Sequence, residues 1–372
     1  MTICCVQLIQ ICRASWRLEQ AIGAAGEERS KTICRGRIGS NYKIEVPRQR
    51  SVFPLPGKNN AARAGRCIAL LQSVSFAGRK EMWETRRSAA LCFGAAYLSS
   101  GTAYAIDIYP GDYTVLPAGS NLALMYGGHV RSRRLNVKNA GDVPDSRLQA
   151  TLGIARYVRY EDIGGIPVVA EAILPFGGYH DVRIGGVSQS TRNGLGDLLL
   201  GFAAFPVHKE DPRFGTTLGF TAYLALPTGA YDPAKVSFGT GAYTFTPQIG
   251  LIQGLGKGLV LDAAADAAFT VNHMEKGVRY GVKPSYQLQA YLRQSISATA
   301  TLSFGYSGRF GGAQKIDGLR TGLETSNHQL RLFLGNFFTK TFQVQAVVGG
   351  DIASRSGFRQ GINSQIRLLK LF

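Results

Sequence analysis

The side chains after position 105 that could carry chemistry are dispersed rather than clustered. Four of the chain's five histidines, His129, His180, His208 and His273, are far apart, and no two of them have the i, i+4 spacing of paired metal ligands. All six cysteines lie at or before Cys92, which excludes a disulfide scaffold and a thiolate metal site from the region that follows. None of these histidines has an acid and a nucleophile placed for a Ser/His/Asp-type set. We therefore expect no enzyme, no metal and no cofactor.

Two glycine-rich motifs resemble phosphate-binding loops only superficially. In "GLGD", Gly194 and Gly196 are expected to permit a turn, and Asp197 begins a polar strand face, where it is also a candidate pore residue. In "GLGKG", Leu251 stands where a P-loop needs its first glycine, and Gly258 stands where Ser or Thr should follow the lysine. Both motifs therefore predict turns.

The elements that must position these residues are strands, because the dominant hydrophobic period after residue 120 is two. In 259–272, for example, Leu261, Ala263 and Phe269 alternate with Asp262, Asp266 and Thr270. A helix would distribute such residues all around its surface. Twelve segments of this kind occur, near 120–130, 147–160, 166–176, 196–207, 215–227, 242–253, 259–272, 283–292, 297–307, 327–337, 342–354 and 360–372.

The lengths of these segments and of their connections indicate a membrane barrel. Most segments reach about ten residues, the length that a tilted strand needs to cross a bilayer. Long and short connections alternate from the first onward, as extracellular loops and periplasmic turns do, except that the last is short where a long one is due. The chain ends on Phe372, as the last strand of a bacterial barrel usually does. We predict an all-β fold, a transmembrane antiparallel β-barrel of about twelve strands in residues 106–372.

In such a barrel the apolar strand faces should meet lipid and the polar faces should line a lumen. The lumen-lining candidates are Glu171, Asp197, Tyr223, Asp262, Asp266, Tyr291, Arg331, Phe333 and Arg367. Charged side chains could select solutes and aromatic side chains could stack on them, or both could merely solvate and fill the interior. Arg156 is an exception, because it shares the apolar face of the second segment; a bulge at this point or the opposite facing of the strand would explain it. The sequence leaves open whether residues 106–119 enter the lumen.

The region before residue 106 has the pattern of an export signal preceded by unrelated sequence. Met82, the pair Arg86-Arg87, an apolar stretch from Ala89 to Leu98 and an A-x-A site at Ala103 to Ala105 give a signal peptide in 82–105 for the general secretory route. Residues 1–81 carry fourteen Lys/Arg, five Asp/Glu and five of the six cysteines. We expect 1–81 to be a disordered, mis-called upstream extension, with a basic cytoplasmic extension as the rival interpretation.

The charge of the region after Ala105 does not indicate a nucleic-acid partner. It has 26 Lys/Arg against 18 Asp/Glu, a difference of +8, and the charges scatter over loops and strand faces. The basic cluster Arg131, Arg133, Arg134 and Lys138 falls in the first predicted long loop, where lipopolysaccharide would be near; a solvated loop is the simpler interpretation.

The stretch "YPGDYTVLPAGSNLALMY" at 109–126 resembles the opening of the phenol meta-pathway degradation outer-membrane proteins, also called MetA-pathway proteins. "GLGDLLLG", "LPTGAYD", "PQIGL" and "GLVLDAAADAAF" extend the resemblance over nearly all of 107–372. It implies an outer-membrane barrel of a Gram-negative bacterium that admits small hydrophobic or aromatic compounds by passive uptake. Membrane lipid, lipopolysaccharide, the barrel-assembly machinery and these solutes are the expected partners. The alternatives are a structural or adhesive barrel acting through its loops, and a lipid-modifying barrel enzyme.

Overall fold

The computed structural model describes residues 106–211 and 213–372; the predicted extension 1–81 and signal peptide 82–105 lie outside them. Eleven long strands form the wall and are named β1 to β11. They are β1 Asn121–Val137, β2 Arg147–Ile163, β3 Ile166–Ile184, β4 Leu198–Lys209, β5 Thr216–Leu226, β6 Thr244–Gly256, β7 Leu259–Thr270, β8 Ser285–Ser295, β9 Ala300–Gly311, β10 Thr325–Thr339 and β11 Phe342–Leu371. Within the described residues, no helix is long and apolar enough to cross a membrane.

The wall closes into a ring because β1 pairs with both β2 and β11. Each wall strand pairs antiparallel with the next, and a ring of that kind needs an even number of strand segments. Eleven strands is an odd number, but the 30-residue β11 counts as two segments. Its residues 342–356 pair with β10, and its residues 357–371 pair with β1. Gly357, with a φ of 90°, lies where the two halves meet. Counted by partner, the ring has the predicted twelve segments, and the fold prediction is confirmed.

Connections at one end of the ring are short and those at the other end are long. The short ones are 164–165, 210–215, 257–258, 296–299 and 340–341. The long ones carry nine short strands: Gly141–Val143, Val187–Ser188, Thr191–Arg192, Gly194–Leu195, Val236–Ser237, His273–Glu275, Val278–Val282, Gln314–Ile316 and Leu319–Arg320. The β7–β8 and β9–β10 loops share a four-stranded sheet. By the usual asymmetry of membrane barrels, the long loops mark the extracellular end.

The outer surface of the wall is apolar over its middle. Phe202, Phe220, Leu288, Phe304 and Leu334 each leave about half of their side chains exposed, and all point away from the lumen. A water-facing sheet would not present such a continuous apolar surface, whereas a barrel with every backbone group paired can face lipid. The ring is therefore a membrane-spanning wall. Lys370, on the apolar face near the short-turn end, donates to Thr341 Oγ1 at 2.9 Å.

Two predictions about β1 and β2 are wrong. The apolar face of β2 turns inward, with Leu148, Val158 and Tyr160 buried in the lumen, so Arg156 on that face is a lumenal residue and no lipid-facing exception. The physical reason is that part of the lumen is itself an apolar core. In addition, β1 continues to Val137, so Arg131, Arg133 and Arg134 belong to the wall rather than to the first loop. Strand pairing continues past the bilayer edge because backbone hydrogen bonds do not depend on lipid.

Candidate functional site

Residues 106–120, here called the lumenal segment, fill part of the barrel interior. Ile108, Tyr109 and Tyr113 on this segment are each less than 7% exposed and belong to the main apolar cluster of the protein. The Tyr109 ring meets Tyr126 and Phe333 edge-on, with ring centroids 5.5 and 5.3 Å apart. Edge-to-face contacts of this kind add to the area that aromatic rings bury. The segment is therefore packed against the wall like a protein core.

Asp107 is held from three neighbouring strands, β8, β9 and β10. Its carboxylate lies 2.7 Å from Arg309 Nη2 and 3.0 Å from Arg331 Nη2, and it accepts a hydrogen bond from Gln287 Nε2 at 2.6 Å. Burial alone would raise the pKa of Asp107, but the two guanidinium groups outweigh burial and lower this pKa. Asp107 is therefore ionised at neutral pH and anchors one end of the lumenal segment.

Asp112 is held by a second pair of arginines. Arg367 Nη1 donates to Asp112 Oδ1, and Arg156 Nη1 lies 3.3 Å from Asp112 Oδ2. Arg156 also binds Glu171 at 2.6 Å, so it bridges the segment to the wall. Burial would raise the pKa of Asp112, but Arg367 and Arg156 prevail and lower it. The carboxylate is only 9% exposed, which makes its loss costly.

Amide side chains of the wall bind the backbone of the lumenal segment. The Ile106 carbonyl accepts hydrogen bonds from Gln248 Nε2 at 3.1 Å and from Gln289 Nε2 at 3.2 Å. The Gly111 amide donates to Asp262 Oδ1 at 2.9 Å, and Arg293 fixes that carboxylate at 2.8 Å. Polar groups removed from water are thereby satisfied, as a buried segment requires.

Gly250 makes room for the lumenal segment. A Cβ at Gly250 would lie 2.1 Å from the ring of Tyr113, so any larger residue would displace that ring. The Tyr113 hydroxyl reaches Gln248 Oε1 at 2.9 Å on the same strand. β6 is thus shaped to receive this tyrosine.

A cavity of about 340 Å³, here called the chamber, lies between the lumenal segment and the extracellular loops. One side is apolar and aromatic: Val130, Leu148, Tyr179, Phe238 and Phe358. The other side is polar and charged, with Arg309 and Arg331 beside Asn327, Gln329, Asp351, Gln360 and Gln365. Small-molecule sites usually combine apolar walls with a few polar groups in volumes of about 300–1,000 Å³. The chamber can hold a compact solute with an apolar body and a polar end.

All nine predicted lumen-lining residues are buried in the structure. Asp197 and Arg331 line the chamber. The other seven, Glu171, Tyr223, Asp262, Asp266, Tyr291, Phe333 and Arg367, lie elsewhere in the lumen. Contact of any of the nine with a solute stays a prediction. Asp197 also accepts hydrogen bonds from Gly229 N and from Thr240 N and Oγ1 at 2.8–2.9 Å, so it fixes the β5–β6 loop.

Several residues of the site escaped the sequence analysis. Tyr179 and Phe238, whose rings are 5.9 Å apart, form the aromatic side of the chamber. Phe238 lies in a loop, where the alternation of strand residues cannot predict the direction in which a side chain points. Asp107 and Asp112 stand before the first strand, and only the surplus of arginines on inward faces could have suggested their role. The fifth histidine, His328, is not part of the chamber; its ring pairs with the Tyr306 hydroxyl at 2.8 Å.

No described residues form a cluster suited to a metal ion. The signal cleavage residues Ala103 and Ala105 lie outside the described part. Phe372 is exposed, and its backbone carbonyl accepts a hydrogen bond from Asn121 N at 2.9 Å, which brings the two ends of the wall together.

The fold of the chain is similar to that of a solved outer-membrane channel. The chain is similar to the COG4313 outer membrane channel from Pseudomonas putida F1, with 24% identity and a TM-score of 0.65 over 72% of this chain and 100% of that one. More distant likenesses are the KdgM porin (10% identity, TM-score 0.37, 67% of this chain and 99% of that one) and the transport unit of the autotransporter AIDA-I from Escherichia coli (7%, 0.43, 76% and 98%). No curated protein matches the sequence significantly.

A family model described as "Putative MetA-pathway of phenol degradation" matches residues 132–367, which is more than half of the chain. The match covers the wall from within β1 to within β11. The extent of this match, together with the barrel fold, shows that the chain belongs to the MetA-pathway family of phenol degradation.

Proposed function

We propose that the protein is an outer-membrane channel of a Gram-negative bacterium for passive uptake of small hydrophobic or aromatic compounds. The observation that carries the proposal is the chamber, which lies inside a membrane-spanning barrel and has one aromatic side and one polar, charged side. An engineered apolar cavity of about 150 Å³ suffices for benzene, so a chamber of 340 Å³ accommodates a substituted ring. The family name and the similarity to an outer membrane channel agree with this function.

The lumenal segment is the gate in this proposal. Its apolar and ionic contacts occupy the lumen beneath the chamber, so a solute can pass along the barrel axis only when the segment shifts. The proposal includes no covalent step. The inward carboxylates of Glu171, Asp262 and Asp112 are each engaged by an arginine, which suits structural ion pairs better than acid–base chemistry.

The proposal also includes the route and the surroundings of the protein. The chain is exported by the general secretory route, cleaved after Ala105 and inserted by the barrel-assembly machinery, with Phe372 as the C-terminal signal. In the membrane it contacts lipid and lipopolysaccharide.

Uptake into proteoliposomes tests the proposal. The outer leaflet should contain lipopolysaccharide, which slows passage of apolar solutes through the bilayer itself. We expect phenols and aromatic acids to enter faster with the protein than without it, and a sugar of similar size to gain much less. Equal rates with and without the protein for every solute would refute the proposal. If deletion of residues 227–243 then abolished surface binding of the barrel, the adhesive alternative would replace it.

A further inference from the structure

Arginines form an outward-facing row at the extracellular ends of β1, β2 and β3. On β1, Arg131 and Arg133 are exposed while Val130 and Ser132 are buried, so both arginines point away from the lumen. Ser132 pairs with Leu148, which puts Arg133 beside Arg147 one position further, and Arg147 pairs with Arg183. Side chains directly opposite on neighbouring strands are about 5 Å apart, and like charges there repel. A row of this kind needs a counter-charge.

The protein supplies only part of that counter-charge. Asp181 lies 2.5 Å from Arg147 Nε and is the one carboxylate that pairs with this row among the described residues. No described residue forms an ion pair with Arg131, Arg133 or Arg183. The Nε atom of Arg183 is buried and has no hydrogen-bond partner among these residues. Four arginines therefore face one aspartate, and an anionic ligand would balance the excess.

An apolar groove lies on the same outer face, below the arginine row. It is lined by Met125, Gly127, Gly153, Phe176, Ile366 and Leu368. Gly127 forms its open floor, since a Cβ at this position would meet nothing within 4 Å. The ring of Phe176 covers Gly153 and makes one side of the groove.

The spacing between the groove and the row matches a lipid. Along β1, Gly127 is four residues from Arg131 and six from Arg133, which is about 13–20 Å at 3.3 Å per residue. Strand tilt of about 40° shortens this to roughly 10–15 Å along the membrane normal. A phosphate at the arginines would thus leave its acyl chain beside Gly127. Because the groove is outside the barrel, a solute in the chamber does not contact it.

We propose that this face binds the phosphorylated glycolipid of the outer leaflet, lipopolysaccharide, with a lipid phosphate on Arg131, Arg133 and Arg183 and an acyl chain in the Gly127 groove. Planar guanidinium groups suit phosphate because they donate two parallel hydrogen bonds. The site rests on the outer-membrane location and is independent of whether the lumen conducts.

Binding of purified lipopolysaccharide to the full chain in detergent tests the site. Arg133→Ala/Arg183→Ala should weaken binding at least tenfold. Gly127→Trp should also weaken binding, because the indole fills the groove without a clash inside the wall. Arg279→Ala/Arg320→Ala removes the same charge from exposed extracellular loop positions and should stay within twofold of the wild-type protein. The heat-dependent gel mobility of each variant shows that its barrel is folded.

Two further experiments distinguish binding of the whole lipid from binding of its phosphate group alone. Dephosphorylated lipopolysaccharide should bind more weakly than the intact lipid, and millimolar inorganic phosphate should not displace the intact lipid. Unchanged binding by folded Arg133→Ala/Arg183→Ala would overturn the proposal. Full displacement by inorganic phosphate would also overturn it, because the groove would then contribute nothing.

Discussion

Replacement of Asp112 by asparagine tests directly whether the lumenal segment closes the barrel. Asp112 is the carboxylate that pairs with Arg367, a side chain only 3% exposed whose Nε has no hydrogen-bond partner among the described residues. Arg156, the other partner of Asp112, retains Glu171. The substitution therefore leaves one buried arginine without its counter-charge while the segment is docked.

Breaking a buried ion pair on one side costs about 3–5 kcal/mol. At about 1.4 kcal/mol per factor of ten, the ratio of displaced to docked segment should rise by a factor of about 100 to about 4,000. Single-channel recording in planar bilayers measures this ratio as the fraction of time in the open state. We expect brief openings of Asp112→Asn to be correspondingly more frequent than those of the wild-type protein.

Two variants make this measurement decisive. Asp112→Asn/Arg367→Gln removes both charges and should return the open fraction towards the wild-type value, because no orphaned charge remains. Asp142→Asn removes an exposed extracellular carboxylate and should change nothing. A folded Asp112→Asn barrel whose recordings match those of the wild-type protein would refute the role of the segment as the gate.

Three further predictions concern the chamber, the loops and pH. Tyr179→Ala or Phe238→Ala removes one ring from the chamber and should slow uptake of aromatic solutes about two- to tenfold, because an aromatic contact is worth about 0.5–1.5 kcal/mol. Tyr243→Ala on the outer face is the control, and equal slowing by this variant would contradict the prediction. Asp197→Ala frees three hydrogen-bond donors of the β5–β6 loop and should weaken the docking of that loop by about 3 kcal/mol, seen as faster proteolysis within 227–243, whereas an unchanged cleavage rate would exclude this anchoring role. The pKa values of Asp107 and Asp112 are lowered by Arg309, Arg331, Arg367 and Arg156. The energy with which these two carboxylates dock the lumenal segment is therefore complete above the ordinary Asp pKa of about 3.9, and it is lost as pH falls through the lowered pKa values. A spin label on the lumenal segment should thus report one position from pH 8 to pH 5 and become mobile only below about pH 4.

The strands could be predicted from the sequence because lipid imposes a local rule on them. The alternation of Leu261, Ala263 and Phe269 with Asp262 and Asp266 requires no knowledge of the partners, since one face must meet hydrocarbon. The number of strands follows for the same reason. Even β11, continuous in the structure, reads as two segments because each of its halves satisfies the rule separately.

The lumen could not be predicted in this way, because its contacts join residues far apart in sequence. Asp112 meets Arg156 across 44 residues and Arg367 across 255, and the lumenal segment has no period of its own. The facing of β2 reverses the expected pattern because Val158 and Tyr160 pack in the apolar lumenal cluster to which Ile108 and Tyr113 belong. The chamber adds Phe238 from a loop, where alternation has no meaning.

The apolar contacts of the lumenal segment limit how the channel can open. Ile108, Tyr109 and Tyr113 together bury roughly 450 Å² of apolar surface, which is worth about 11 kcal/mol at 25 cal/mol per Å². Complete expulsion of the segment into water would therefore occur in fewer than about one molecule in 10⁷, and removal of one ion pair cannot make it common. Expulsion also exposes the inward faces of Leu124, Tyr126 and Tyr160, which only an apolar occupant can cover. A hydrophobic solute should thus raise the open fraction, and a polar solute of equal size should not. Single-channel recordings that show the same open fraction with both solutes would contradict the prediction that a hydrophobic solute promotes opening.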